Sequence, residues 1–250
     1  LGFKGIQLRA NILKEYGERP KELRALLDGH RLELVALSSG GVRIGPGIEA
    51  DEIAKHARNA RFMHDAGGRY LQVTDSALPR DRKPAAEDFK GLGRVLTEIG
   101  KRATDLGIPL GYHNHMHSLG ESPADVDRIM EASDPRYVKL ELDIAHYVQG
   151  GGDPVKAIRT YRDRLLFLHI KDVESLPLSG TSDPARAYRF VELGRGRVDL
   201  PAVFKSLADV KFRGWAVVEL DAVPDKTRTP IDSAMISKKY IEDKLRLKIQ

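Results

Sequence analysis

The sequence predicts a parallel α/β barrel of the (β/α)8 type, and three observations carry that prediction. Short apolar runs of strand length alternate strictly with amphipathic, helix-like segments along the whole chain. No shift in composition marks a second domain, so residues 1–250 read as one. A doubly wound open sheet would carry a Gly-rich loop after its first strand, and neither G-x-G-x-x-G nor G-x-x-x-x-G-K-[ST] occurs.

The elements follow in order. Residues 5–10 are a short strand, and a helix over 20–27 places Leu23, Leu26 and Leu27 on one side before stopping at Gly29. Residues 32–37 form a second strand, closed by the loop Ser-Ser-Gly-Gly-Val at 38–42. A helix over 48–66 stops at Gly67 and Gly68. His56 and His64 lie on it two turns apart and read as structural. The strand 70–73 ends in the polar loop 74–76. Pro84 then opens the clearest helix, with Phe89, Leu92, Val95, Leu96, Ile99, Ala103 and Leu106 at helical spacing and Gly107 at its end.

Next comes 109–118, Pro-Leu-Gly-Tyr-His-Asn-His-Met-His-Ser, read as a strand. Extended backbone would put His113, His115 and His117 on one face. A helix over Pro123–Ala132 starts at the N-cap Ser122. The strand 137–143, a helix opened by Asp153 and Pro154, and the strand 165–172 follow. The polar segment 174–186 reads as a long active-site loop. Residues 194–199, Gly-Arg-Gly-Arg-Val-Asp, lead into a helix over 201–207; 215–220 is the last strand and 231–245 the last helix. These are seven strand–helix units. A closed barrel needs eight, so the chain is expected to hold the second to eighth, with the first lying upstream of Leu1.

Composition narrows the function. Lys and Arg number 41 against 36 Asp and Glu, a net charge of +5 with no basic block, so no nucleic-acid partner is expected. Cysteine is absent, which removes disulfides, thiolate metal sites and thiol nucleophiles together. No apolar run approaches the roughly 18 residues of a membrane span. A small-molecule partner and a cytoplasmic setting are expected, although a chain opening on Leu1 hides any targeting segment. Open sheet edges would favour self-association into a homo-oligomer.

In such a barrel the reacting groups sit at the C-terminal ends of the strands. Four consecutive strands deliver them: His113 and His115; Asp143 with His146 three residues on; His169 and Lys171; Glu219 and Asp221. Imidazole and carboxylate donors without thiolate suit one divalent ion, Mn, Zn, Co, Fe or Mg. Lys171 adds a cation for a developing oxyanion.

The motifs Tyr-His-Asn-His at 112–115, Leu-Asp-Ile-Ala-His at 142–146, His-Ile-Lys-Asp at 169–172, Gly-Arg-Gly-Arg-Val-Asp at 194–199 and Val-Val-Glu at 217–219 resemble the xylose-isomerase-like TIM barrels. The likeness is to the sugar phosphate isomerases/epimerases, a group that includes inosose dehydratases, and it covers nearly the whole chain. It implies metal ligands at Asp143, His169 and Glu219, with His113 where the family commonly has a glutamate. It also puts His146 and Lys171 where substrate hydroxyls or the carbonyl bind. The expected set is therefore His113, Asp143, His169 and Glu219 for the metal, and Glu219, His115 and His146 for proton transfer.

The chemistry implied is removal of a proton next to the carbonyl of a keto-sugar, sugar phosphate or keto-polyol, through an enediolate. Isomerisation or epimerisation is the main expectation, with dehydration of a keto-polyol such as an inosose as the alternative. His113 bears on that choice, because a ligating imidazole in place of a carboxylate removes one of the two bases that epimerisation uses. A nuclease of the endonuclease IV type needs histidines on the early strands, which have none. A non-catalytic barrel would not be expected to keep four ligands.

Overall fold

Strands alternate with helices along most of the computed structural model, which describes residues 1–178, 183 and 186–249. The chain divides into two compact units, Lys4–Glu141 and Leu142–Gln250 with Leu1–Phe3.

In the first unit β1 (Gly5–Arg9), β2 (Glu33–Val42), β3 (Tyr70–Asp75), β4 (Leu110–His113) and β5 (Val138–Asp143) pair in sequence order, all parallel. The crossovers hold α1 (Leu13–Tyr16), α2 (Pro20–Gly29), α3 (Glu49–Asp65), α4 (Ala86–Thr104) and α5 (Pro123–Ala132). Parallel strands covered on both faces need near-continuous apolar runs, and Leu34–Leu37 and all of β4 are buried accordingly. The helical stripe of α4 faces the core as its spacing predicts: Phe89, Leu92, Val95, Leu96, Ile99 and Ala103 are all buried. The carboxylate of Asp88 accepts the Ala85 N–H at 2.7 Å and so closes the first turn of α4.

The second unit pairs β6 (Leu165–Ile170) with β9 (Ala216–Val218), again parallel. Its helices are α6 (Ile144–Gln149), α7 (Pro154–Thr160), α8 (Leu200–Asp209) and α9 (Pro230–Asp243). Among the described residues the parallel strands number seven. Among the described residues no helix is long and apolar enough to cross a membrane.

Three local expectations are corrected. The Ser-Ser-Gly-Gly-Val loop at 38–42 is the end of β2: the register shifts between Ser38 and Gly41, a bulge that carries Val42 back into the core. The histidine run is a strand only to His113, and His117 has a φ of +65°, so the three imidazoles share no strand face. Buried Asp75 holds the turn that follows, accepting the Tyr112 hydroxyl at 2.7 Å and the Leu119 N–H at 2.8 Å. Finally, the 165–172 strand breaks at Lys171. Beyond it β7 (Asp172–Ser175) pairs antiparallel with β8 (Tyr188–Val191), so the expected loop at 174–186 begins inside a two-stranded hairpin. Residues 179–182, 184 and 185 of that loop lie outside the described residues.

Candidate active site and metal centre

Asp143 ends β5 and also caps α6, because the strand runs into the helix with no linker. Its Oδ1 accepts the N–H groups of Ala145 at 2.9 Å and His146 at 2.8 Å. This capping fixes the carboxylate. Its Oδ2 lies 3.6 Å from His169 Nδ1, 3.5 Å from Lys171 Nζ and 3.9 Å from His146 Nε2. Asp143, His146, His169 and Lys171 are all buried.

Glu219 comes from one residue beyond β9, where its N–H donates to the Ile170 carbonyl at 3.1 Å and prolongs the ladder. Its Oε2 lies 2.9 Å from His169 Nδ1 and 2.7 Å from Lys171 Nζ. Asp221, two residues on, accepts from Lys171 Nζ at 2.8 Å. The Lys171 ammonium is also 3.4 Å from His146 Nε2.

Charge balance decides the protonation states. Burial works to strip Lys171 of its proton, but Asp143, Glu219 and Asp221 outweigh it and raise the ammonium above its ordinary pKa. Burial likewise pushes Glu219 up, yet the charge and hydrogen bond of His169, with Lys171 behind them, hold its carboxyl well below the usual range. Both groups are therefore ionised near neutral pH.

The donor set fits a divalent ion. Asp143, His169 and Glu219 each offer one ligand atom, and those atoms lie within 4.8 Å of one another. Donors bound at about 2.1 Å to a single ion stand at most about 4.2 Å apart, and the 2.9 and 3.6 Å separations at His169 Nδ1 meet that limit. One imidazole with two carboxylates suits Zn, Mn, Co or Fe more than an all-oxygen cation site.

His113 and His115 belong to the first unit. His113 is buried at the end of β4, where its register partner on β5 is Glu141, two residues before Asp143. His115 sits in the following turn, with its ring centroid 5.6 Å from that of His113 and its Nδ1 2.6 Å from the Met116 carbonyl.

Two contributors escape strand-end reasoning. Phe190 on β8 brings its ring to 4.4 Å from Lys171 Nζ and 4.6 Å from the His146 ring centroid. Spacing gave no signal for it, since 188–191 is a strand only by pairing with β7. Asp172, fully buried, accepts the N–H groups of Val173, Gly194, Gly196 and Val198 at 2.9–3.0 Å. It shapes the Gly-Arg-Gly-Arg-Val segment beside the site. A Cβ on Gly196 would stand 2.2 Å from Asp172 Oδ1, which is why glycine is required there.

A parallel α/β fold that gathers His, Asp and Glu side chains at its strand ends places the protein among the parallel α/β barrels. More particularly, the chain belongs to the family described as xylose isomerase-like TIM barrel, which it matches over residues 1–239. It is 26% identical over 259 aligned positions to an inosose dehydratase of Lacticaseibacillus casei, covering 96% of this chain and 85% of that one. A second inosose dehydratase, from Geobacillus kaustophilus (strain HTA426), is 29% identical over 247 positions, covering 91% and 80%. Among solved structures, the IolI protein with a zinc atom superposes with a TM-score of 0.78 at 20% identity, covering 97% of this chain and 88% of that one. The probable 3-DHS dehydratase AsbF from Bacillus anthracis gives 0.74 at 18%, covering 97% and 90%. At those identities the superpositions bear on the fold.

Proposed function

We propose that the protein is a divalent-metal-dependent dehydratase of a keto-polyol of the inosose type. The observation that carries this reading is the convergence of Asp143, His169 and Glu219 beside a buried, protonated Lys171. The curated relatives named inosose dehydratase favour elimination over the isomerase or epimerase activity that heads the sequence expectations.

In this reading Asp143, His169 and Glu219 hold the ion. The motif resemblance adds His113 as the fourth ligand. A bound divalent ion supplies Lewis acidity toward the carbonyl oxygen and its neighbouring hydroxyl. Lys171 directs its ammonium at the negative charge that develops when the α-proton leaves. His146 takes that proton, because in this reading the Glu219 carboxylate is engaged as a ligand. His146 hands that same proton to the departing β-hydroxyl, so one water is lost per turnover and the imidazole is restored. Glu219 then acts as a ligand and an electrostatic partner more than as the base.

The test is to strip the protein with chelator, reload it with Mn, Co or Zn, and supply an inosose while monitoring product by mass. Loss of one water, seen only in reloaded protein, supports the reading. A product of unchanged mass would move the activity to isomerase or epimerase.

A further inference from the structure

We infer that Phe190, carried by the β7–β8 hairpin, is a positioning residue for the pair Lys171 and His146. Its catalytic consequence rests on the dehydratase reading above; the contact itself does not.

The hairpin is built to hold this ring in place. Phe190 pairs with Val173 across the two strands, between Arg189 opposite Glu174 and Val191 opposite Asp172. Arg189 Nε donates to Glu174 Oε1 at 2.8 Å, pinning one side. The hydrogen bonds of Asp172 to the 194–198 segment pin the base of the hairpin. The Tyr188 ring packs edge-on against Phe190, with centroids 5.4 Å apart.

The ring then meets two groups that must be oriented for proton transfer. The Lys171 ammonium stands over its face at 4.4 Å, while His146 meets it edge-on at 4.6 Å. Two of the three ammonium donors go to Glu219 and Asp221. Carboxylates alone would draw the ammonium toward themselves. The negative face of an aromatic ring attracts it from another side without accepting a hydrogen bond. The third N–H is thus left facing His146 Nε2 at 3.4 Å and Asp143 Oδ2 at 3.5 Å, from which it can turn to a substrate oxygen. A leucine would fill much of the space but lacks the quadrupole.

Three variants test this: Phe190→Leu, Phe190→Met and Phe190→Tyr. In metal-loaded protein, Leu and Met should lower kcat about tenfold with KM within about twofold. Tyr, which keeps the ring face, should stay within about threefold of the parent. A second readout needs no substrate: the His146 ring-proton NMR resonance, assigned by its absence in His146→Gln, should move in Phe190→Leu and stay in Phe190→Tyr. Parent-like kcat in both aliphatic variants, an equal loss in Tyr, or a rise in KM alone would overturn the positioning role. So would a His146 resonance that Phe190→Leu leaves in place. If the parent dehydrates no keto-polyol, the proposed function fails, while the NMR comparison still decides the contact.

Discussion

Lys171 is buried among three carboxylates, and its neighbours determine both its charge and its direction. Replacing it with Met should leave metal bound, because Asp143, His169 and Glu219 all stay in the chain, while kcat falls roughly 100- to 1000-fold, the usual cost of losing a preorganised group that stabilises developing charge. Metal analysis and steady-state rates on the same sample check both halves. His169→Ala should behave in the opposite way and lose most of its bound metal; unchanged metal stoichiometry in that variant would show the ligand set to be misassigned. At this scale the sequence was informative where chemistry follows strand register. Asp143, His169 and Glu219 are legible because each lies at or just beyond a strand end. Phe190 is not, since an aromatic residue in a polar stretch carries no mark of what it packs against.

Elements explain where the reading of the histidine run fails. Alternation puts residues on one face only while the backbone stays extended, and Asp75 bends the chain after His113 by accepting the Leu119 N–H. That signal is long-range in sequence, 44 residues apart, and no local pattern reveals it. Asp172 plays a similar part on the other unit. Asp172→Ala would leave buried backbone N–H groups without their acceptor, at a cost of about 3 kcal/mol or more. We expect a thermal midpoint lower by several degrees, with Gly196→Ala producing a loss of the same sign because its Cβ would meet that carboxylate. Differential scanning calorimetry of both variants checks this, and parent-like midpoints would remove the loop-shaping role. The helices were more legible: the apolar spacing of α4, the Ser122 cap and the helix opened by Asp153 and Pro154 appear in the structure as read.

For the molecule as a whole, one contribution to acid sensitivity comes from a buried cluster in the first unit. His56 bonds through Nδ1 to Ser39 Oγ at 2.6 Å, and burial, with Lys55 adding to it, lowers its pKa from 6.5 to about 4. Glu52 lies beside it; burial pushes its carboxyl up, but hydrogen bonds from Lys55 and Arg43 bring it down from 4.5 to about 2. Both folded values are depressed, so each contribution is complete above the unfolded pKa and lost as pH falls through the folded one. His56 therefore costs stability from pH 6.5 down to about 4, on the order of 3 kcal/mol, and Glu52 continues the loss from 4.5 toward 2. Urea midpoints should fall over the upper window in the parent and flatten there in His56→Asn; a flat parent profile between pH 7 and 5 would contradict this. The strand–helix alternation that announces the fold is a whole-chain pattern, readable without contacts. The 38–42 bulge and the β7–β8 hairpin depend on pairing between distant residues, which composition does not encode.

The central claim, metal-dependent elimination from a keto-polyol, is tested most directly by one NMR experiment in deuterium oxide. Metal-loaded protein is incubated with an inosose, and the carbon-bound protons and product are followed together. The account predicts a product short of one water, formed only with metal present and at least 100-fold more slowly in the Lys171→Met variant. A product that keeps all its hydroxyls, with deuterium at an inverted or neighbouring carbon, would contradict it.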